Sequence, residues 1–188
     1  TVGYGHGVAV SPLQLAGGIG ALVNGGVRVP LTLIKRDPDA DIPGRRVVSP
    51  RVSSYMRKLL RRVVEDGTGS KADVPGYLVG GKTGSAEKSG KRGYRRKALI
   101  SSFVGVFPID APRYLVLVML DEPIGTKQTF GYATGGWTAA PVVGSVITDI
   151  TRIFGIAPEL RDSNLTAGLE RYIDAEESTG YSPASYTQ

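Results

Sequence analysis

The spacing of apolar positions changes several times along the chain, and each change predicts an element. Ser11-Pro12 reads as a helix cap followed by proline at the first helical position. Leu15, Ile19, Leu22 and Val23 then recur at helical spacing, and Asn24-Gly25-Gly26 stops the run. Val27 to Ile34 alternates loosely and predicts a strand, and Asp37 to Arg46 is a loop of Pro, Asp and Gly. Ser49-Pro50 repeats the cap signal. Val52, Tyr55, Met56, Leu59 and Val63 form one apolar stripe, with Arg57, Lys58, Arg61 and Arg62 on the opposite side, so an amphipathic surface helix with a solvated basic face should end before Gly67. Turns follow at Asp66-Gly-Thr-Gly69 and Val74-Pro-Gly76.

Tyr77 to Ser85 reads as a strand of small residues, Glu87 to Lys97 as a polar, basic, turn-like segment, and Ala98 to Phe107 as a strand. Arg113 to Leu120 is a nearly continuous β-prone run, which predicts a central, well-buried strand. Short turn-rich connections between the three strands imply an antiparallel meander, because a parallel crossover needs about a dozen residues. Asp121 to Trp137 is a Gly/Thr-rich loop. Val142, Val143, Val146, Ile147, Ile150 and Phe154 then describe an apolar helix packed on the sheet, ended by Gly155 and Pro158. The spacing of Leu165, Leu169 and Tyr172 allows a short helix within Ser163 to Glu177, and Ser178 to Gln188 reads as a frayed tail. The expected fold class is α/β, an antiparallel sheet flanked by helices.

Composition narrows the chemistry. The chain has 188 residues, 41% hydrophobic and 21% charged, close to globular averages. No stretch reaches the roughly 20 apolar residues that span a bilayer. Cysteine is absent and there is one histidine, His6, which removes thiolate and multi-histidine metal sites and a cysteine nucleophile. His6 has no patterned Ser or Asp partner, so a structural role is expected. The net charge is +6, and Lys88, Lys91, Arg92, Arg95, Arg96 and Lys97 supply as many cations in one segment without an acid. Such a segment could attract an anionic glycan or lipid head group, with a solvated loop as the default. One aromatic, Tyr94, is thin support for base stacking, so no nucleic-acid partner is expected. The opening at Thr1 reads as a piece of something longer.

Gly76-Tyr-Leu-Val-Gly-Gly81-Lys82-Thr83 satisfies the G-x-x-x-x-G-K-[ST] string of a phosphate-binding loop, and Tyr114 to Asp121-Glu122 looks like the apolar strand that holds magnesium in such enzymes. The surroundings disagree. A phosphate loop follows a strand and opens a helix, whose N-terminus holds the phosphates. Here Gly67, Gly69 and Pro75 break the segment upstream, and Gly84 to Lys97 contains Gly90 and Gly93 and no apolar stripe. A strand serves Tyr77, Leu78 and Val79 better.

Read instead as a strand edge, Lys82-Thr83-Gly84-Ser85 resembles the Lys-Thr-Gly-Thr/Ser strand of the penicillin-binding D,D-transpeptidases. The flanks carry the likeness further. Gly67-Thr-Gly69 with Val74 to Ala86 looks like the approach to that strand in class B members. Gly5 to Ala16 through Gly26, Ser102-Phe-Val-Gly-Val-Phe-Pro108, Asp121-Glu-Pro123, Gly135-Gly136 and Ala140-Pro141 follow in family order, so the likeness covers about residues 3 to 154. The septal cell-division transpeptidases are the most similar branch by these flanks. The resemblance implies that residues 1–158 are the C-terminal portion of a penicillin-binding transpeptidase domain, with 159–188 an extension.

It also implies roles. The backbone N–H of Ser85 would serve as an oxyanion donor, and the Thr83 and Ser85 hydroxyls would hold a substrate's terminal carboxylate, which β-lactams also present. Gly84 would let substrate lie close to the strand. Lys82 would supply positive charge and bond the serine of a Ser-x-Asn motif. Expected ligands are a peptidoglycan stem peptide and β-lactams, with other cell-wall or cell-division proteins and the upstream part of the polypeptide as partners. No metal or cofactor is implied. The resemblance further implies a periplasmic domain anchored upstream in the inner membrane. No Ser-x-Asn occurs in the chain, and the one Ser-x-x-Lys, Ser85 to Lys88, overlaps the strand and cannot also be a nucleophile on a separate helix. The nucleophile is therefore expected upstream of Thr1. That leaves room for a non-catalytic scaffold of the same fold. Tyr132 and Trp137 lie where the family lines its groove, but Tyr132-Ala-Thr-Gly-Gly136 departs from the family pattern, so neither is assigned.

Overall fold

The computed structural model describes residues 8–158 apart from 38, 91 and 92. The expectations for His6 and for 159–188 lie outside these residues. Helix α1 spans Pro12–Val23, where Ser11 and Gln14 cap each other: Ser11 Oγ accepts from the Gln14 N–H at 3.2 Å, and Gln14 Oε1 accepts from the Ser11 N–H at 3.0 Å. Helix α2 spans Pro50–Glu65, with Ser49 Oγ accepting from the Val52 N–H. Strands β1 (Val27–Arg28) and β2 (Arg45–Arg46) pair antiparallel between them.

The expected strand over Val27 to Ile34 is thus only two residues long. Pro30 has no N–H to give a ladder, and Leu31, Leu33 and Ile34 continue exposed.

A 3₁₀ turn (Ser70–Ala72) leads to β3 (Gly80–Gly90), β4 (Gly93–Phe107), β5 (Tyr114–Asp121) and helix α3 (Ala139–Ile153). The three strands form an antiparallel meander in the order β3-β4-β5. This bears out the meander and corrects two details. The basic stretch Glu87 to Lys97, expected as a turn, is mostly the outer half of a long β3–β4 hairpin, with Ser89 opposite Tyr94. Among the described residues the run Arg113 to Leu120 is the outer strand of three, and β4 lies between the other two. The apolar continuity of β5 arises because both its faces are partly covered. Val116, Val118 and Leu120 meet the α3 side of the core, while Leu115 meets the side built with α1 and α2.

Two small cores sandwich the sheet. On one face Phe103 and Phe107 pack with Val143 and Ile147 of α3, all four completely buried. Each such side chain contributes roughly 1.5–3 kcal/mol. On the other, Val106 and Ile109 meet Leu60 of α2 and Val23 of α1. That second face is covered only in part: Met119 on β5 and Leu13 on α1 are exposed, and a groove between α1 and β5 is lined by Ala16, Gly20, Val29, Leu31 and Leu115. Among the described residues no helix is long and apolar enough to cross a membrane.

Helix α2 departs most from its amphipathic pattern. Its buried positions are Ser53, Leu60, Arg61 and Val64, while Val52, Tyr55 and Leu59 of the expected apolar stripe stay exposed. The basic side is not simply solvated. Arg57 Nη1 donates to the Asp110 carbonyl at 2.6 Å. Arg61, 7% exposed, donates from Nη1 to Asp73 Oδ1 at 2.8 Å and to the Val79 carbonyl at 2.9 Å. Long stems let arginine cross apolar surface and spend the head group on buried carbonyls. Arg61 therefore ties α2 to the residue just before β3. Replacing it with leucine strands the Val79 carbonyl without its donor; Asp73, half-exposed, rehydrates. The expected loss is about 2 kcal/mol, read as a lowered midpoint in urea unfolding of the domain, with Lys58→Leu on the same helix as an unaffected control.

Candidate active site

The Lys82–Ser85 segment is extended, inside β3 and at the edge of the sheet. The strand continues to Gly90, so no helix follows the G-K-T string and the phosphate-cradle geometry is absent.

Register decides which way the backbone of this edge points. In β4 the carbonyl of Leu99 accepts from the Glu122 N–H at 2.8 Å and that of Phe107 from the Arg113 N–H, so odd-numbered β4 residues turn their polar groups toward the β5 side. Their partners on β3, Thr83 opposite Phe103 and Ser85 opposite Ser101, are then the non-hydrogen-bonded pairs of the ladder. The N–H and C=O of Thr83 and Ser85 consequently face outward, off the sheet edge. The Thr83 carbonyl behaves accordingly: Lys82 Nζ donates to it at 2.9 Å.

Side chains alternate across the same strand. Thr83 and Ser85 share the face carrying Phe103; Lys82 and Gly84 share the opposite one. Gly84 lies against β4 so closely that a Cβ there would sit 2.5 Å from Ser102 Oγ. The next atom is Ser102 Cβ at 3.9 Å, so rotating the Ser102 hydroxyl would admit a Cβ, and the neighbouring strand alone does not demand glycine here.

The loop from β5 to α3 is fastened over the Thr83/Ser85 face by two serines in one cross-strand pair. Ser101 Oγ donates to the Ala133 carbonyl, and Ser85 Oγ accepts from the Gly135 N–H at 2.9 Å. Ser85 keeps its own proton for another acceptor. Aromatic stacking stiffens the loop: Tyr132 lies parallel to Trp137 at 5.3 Å, Phe130 meets it edge-on, and Lys71 Nζ sits 4.2 Å from its ring centre.

One member of the site was not picked out in the sequence. Thr68 Oγ1 lies 3.0 Å from Thr83 Oγ1 and is exposed beside it. The Asp66-Gly-Thr-Gly69 stretch reads as a turn, and only its flanking glycines hint that Thr68 is presented rather than buried.

The basic hairpin is stapled to the end of β5. Lys88 Nζ donates to Asp121 at 2.8 Å and Glu122 at 3.0 Å, and Arg95 reaches Glu122 at 3.1 Å. Two of its six cations are thereby neutralised within the fold, which replaces the solvated-loop expectation for them. Hydrogen bonds to Asp121 and then Glu122 raise the Lys88 pKa, and the Lys88 hydrogen bond lowers that of Glu122. The Ser85-to-Lys88 match is thus no nucleophile motif: its lysine belongs to this cluster.

An edge strand bearing Lys-Thr-Gly-Ser with its backbone groups outward, roofed by a Gly-Gly loop, places the chain in a definite class. Residues 1–148 match the penicillin binding protein transpeptidase domain, and the chain belongs to that family. It is 48% identical over 162 residues to a probable peptidoglycan D,D-transpeptidase FtsI of Caulobacter vibrioides, covering 81% of this chain and 28% of that protein. Stage V sporulation protein D of Bacillus subtilis is 38% identical, covering 84% and 25%. Among solved structures, the transpeptidase domain of Burkholderia pseudomallei penicillin-binding protein 3 superposes with a TM-score of 0.76 at 38% identity, over 86% of this chain and 47% of that one. Penicillin-binding protein 3 of Mycobacterium tuberculosis, solved with ampicillin, gives 0.71 at 30% identity, over 85% and 38%. The chain thus spans between a quarter and a third of the length of these curated relatives.

The ion-pair staple has a definite pH window. The Glu122 contribution is present above the ordinary carboxylate range and is lost as pH falls through its lowered folded value. The Lys88 contribution is complete below 10.5 and is lost as pH rises through its raised value. Amide exchange over residues 93–98, corrected for intrinsic rates, should therefore show constant protection around neutrality. Lys88→Met should raise exchange there by about twofold, as should high salt, without touching residues 82–85.

Proposed function

We propose that this chain is the C-terminal portion of the transpeptidase domain of a peptidoglycan D,D-transpeptidase, with residues 1–158 in the domain and 159–188 an extension. The observation that carries the reading is the outward-facing backbone of Thr83 and Ser85 on a free strand edge. A carbonyl laid antiparallel along this edge would have its oxygen at the Ser85 N–H. A serine supplied by the preceding part of the polypeptide attacks that carbonyl, and the negative charge that develops on the oxygen is met by a donor already in place, which is where preorganisation lowers the barrier most. The penultimate D-Ala is left as an acyl-enzyme, the terminal D-Ala departs, and the amine of a neighbouring stem peptide completes the cross-link.

Thr83 and Ser85 hold the terminal carboxylate from one face of the strand. The proton that Ser85 retains while accepting from Gly135 is free for this. Lys82 adds positive charge at the same edge. Stem peptides and β-lactams share the carboxylate and the reactive carbonyl, so both are ligands of this site; nucleic acid is not. The domain belongs in the periplasm, on a protein anchored in the inner membrane and working with cell-division or cell-wall partners. Lys82 and Thr83 variants to alanine in the intact protein should keep the fold and label with a fluorescent penicillin about 10²–10³ more slowly. Unchanged labelling refutes the site. Absence of labelling in the unmutated protein favours a non-catalytic scaffold of the same fold.

A further inference from the structure

We propose that Thr68 is a positioning residue of this site: its hydroxyl donates to Thr83 Oγ1 and so turns the Thr83 proton outward, toward a ligand carboxylate. The inference rests on the function proposed above and adds a residue that the strand motif does not contain.

The hydrogen-bond inventory of Thr83 carries the argument. Its hydroxyl has one proton and two acceptor sites. Lys82 Nζ, which can only donate, lies 3.3 Å from Thr83 Oγ1, and Thr68 Oγ1 lies 3.0 Å from it. Distance alone leaves either threonine as the donor. If Thr83 gave its proton to Thr68, it would present only lone pairs to an arriving carboxylate, and the contact would be repulsive. If Thr68 donates, both acceptor sites of Thr83 are taken, and its proton has no direction left but outward. A chain from Thr68 through Thr83 to the anion is also cooperative, since each donor polarises the next.

The backbone holds Thr68 in place for this. Its neighbour Gly69 donates from N–H to the Val63 carbonyl at 2.9 Å, at the end of α2. A Cβ on Gly69 would lie 2.8 Å from the Phe103 ring, and one on Gly136 would collide with the Thr68 carbonyl. The segment is thus pressed between α2, the sheet and the β5–α3 loop, while the Thr68 side chain itself is exposed. Packing does not account for a threonine there; its hydroxyl does.

The test measures acylation of the intact protein by a fluorescent penicillin and by the methyl ester of the same compound, which lacks the anionic carboxylate. Thr68→Val removes the donor with little change of shape. It should slow acylation by the acid about tenfold and leave the ester within about twofold. Thr68→Ser keeps a hydroxyl and should stay within about threefold of the unmutated protein with the acid. An equal loss with acid and ester marks a structural defect and overturns the proposal, as does an unchanged acid rate in Thr68→Val or a serine variant as slow as the valine one. If the unmutated protein acylates normally in those cases, the active-site reading stands and only the role of Thr68 falls. If it takes neither compound, that reading fails and this inference with it.

Discussion

The register between β3 and β4 is the constraint on which the rest depends. Pairing Thr83 with Phe103 and Ser85 with Ser101 makes them non-hydrogen-bonded pairs, so their backbone donors face off the sheet edge rather than into the ladder. A slip by one residue would exchange every inward and outward group. It would move the Ser85 N–H into the ladder and its hydroxyl to the wrong face. Buried Phe103 and Phe107 fix β4 against α3, while buried Val79 and the close seat of Gly81 on the Phe103 ring, where a Cβ would lie 2.5 Å away, fix β3 against β4.

Other parts of the fold serve to keep that edge still. Arg61 fixes the Val79 carbonyl just ahead of β3. Ser85 and Ser101 fasten the β5–α3 loop, and the Tyr132–Trp137–Lys71 stack stiffens it. The hairpin beyond the site is held through Lys88, Asp121 and Glu122. A ligand whose charge must be met by fixed donors gains only if those donors do not have to be ordered on binding. Several weak ties spread over three loops supply that rigidity in a segment whose glycines would otherwise leave it loose.

Much of the fold was legible along the chain because the signals are local. Ser11-Pro12 and Ser49-Pro50 announced both helix starts through cap chemistry that needs only neighbouring residues. The meander followed from short connections between β-prone runs. The phosphate-loop string was set aside because Gly90 and Gly93 cannot sit in a packed helix, and the strand through Gly90 agrees. Where local pattern met a tertiary competitor, it misled. Arg61 looked like a solvated charge and is a buried tie. The continuous apolar run of β5 looked like a sheet centre and, among the described residues, is the outer strand of three. The polar hairpin looked like a turn because its strand character comes from cross-strand pairing and ion pairs, not from side-chain propensity.

The sequence by itself determined the helices and the apolar strands, the Lys82–Ser85 motif and the family, since these depend on residue identity and spacing over a few positions. Only the tertiary structure decided which edge of β3 is free and which backbone groups point along it, and that Thr68 stands against Thr83. Those facts depend on how segments 15 or more residues apart come together. No single stretch of chain encodes a distance across a sheet; it emerges when packing on both faces chooses one register.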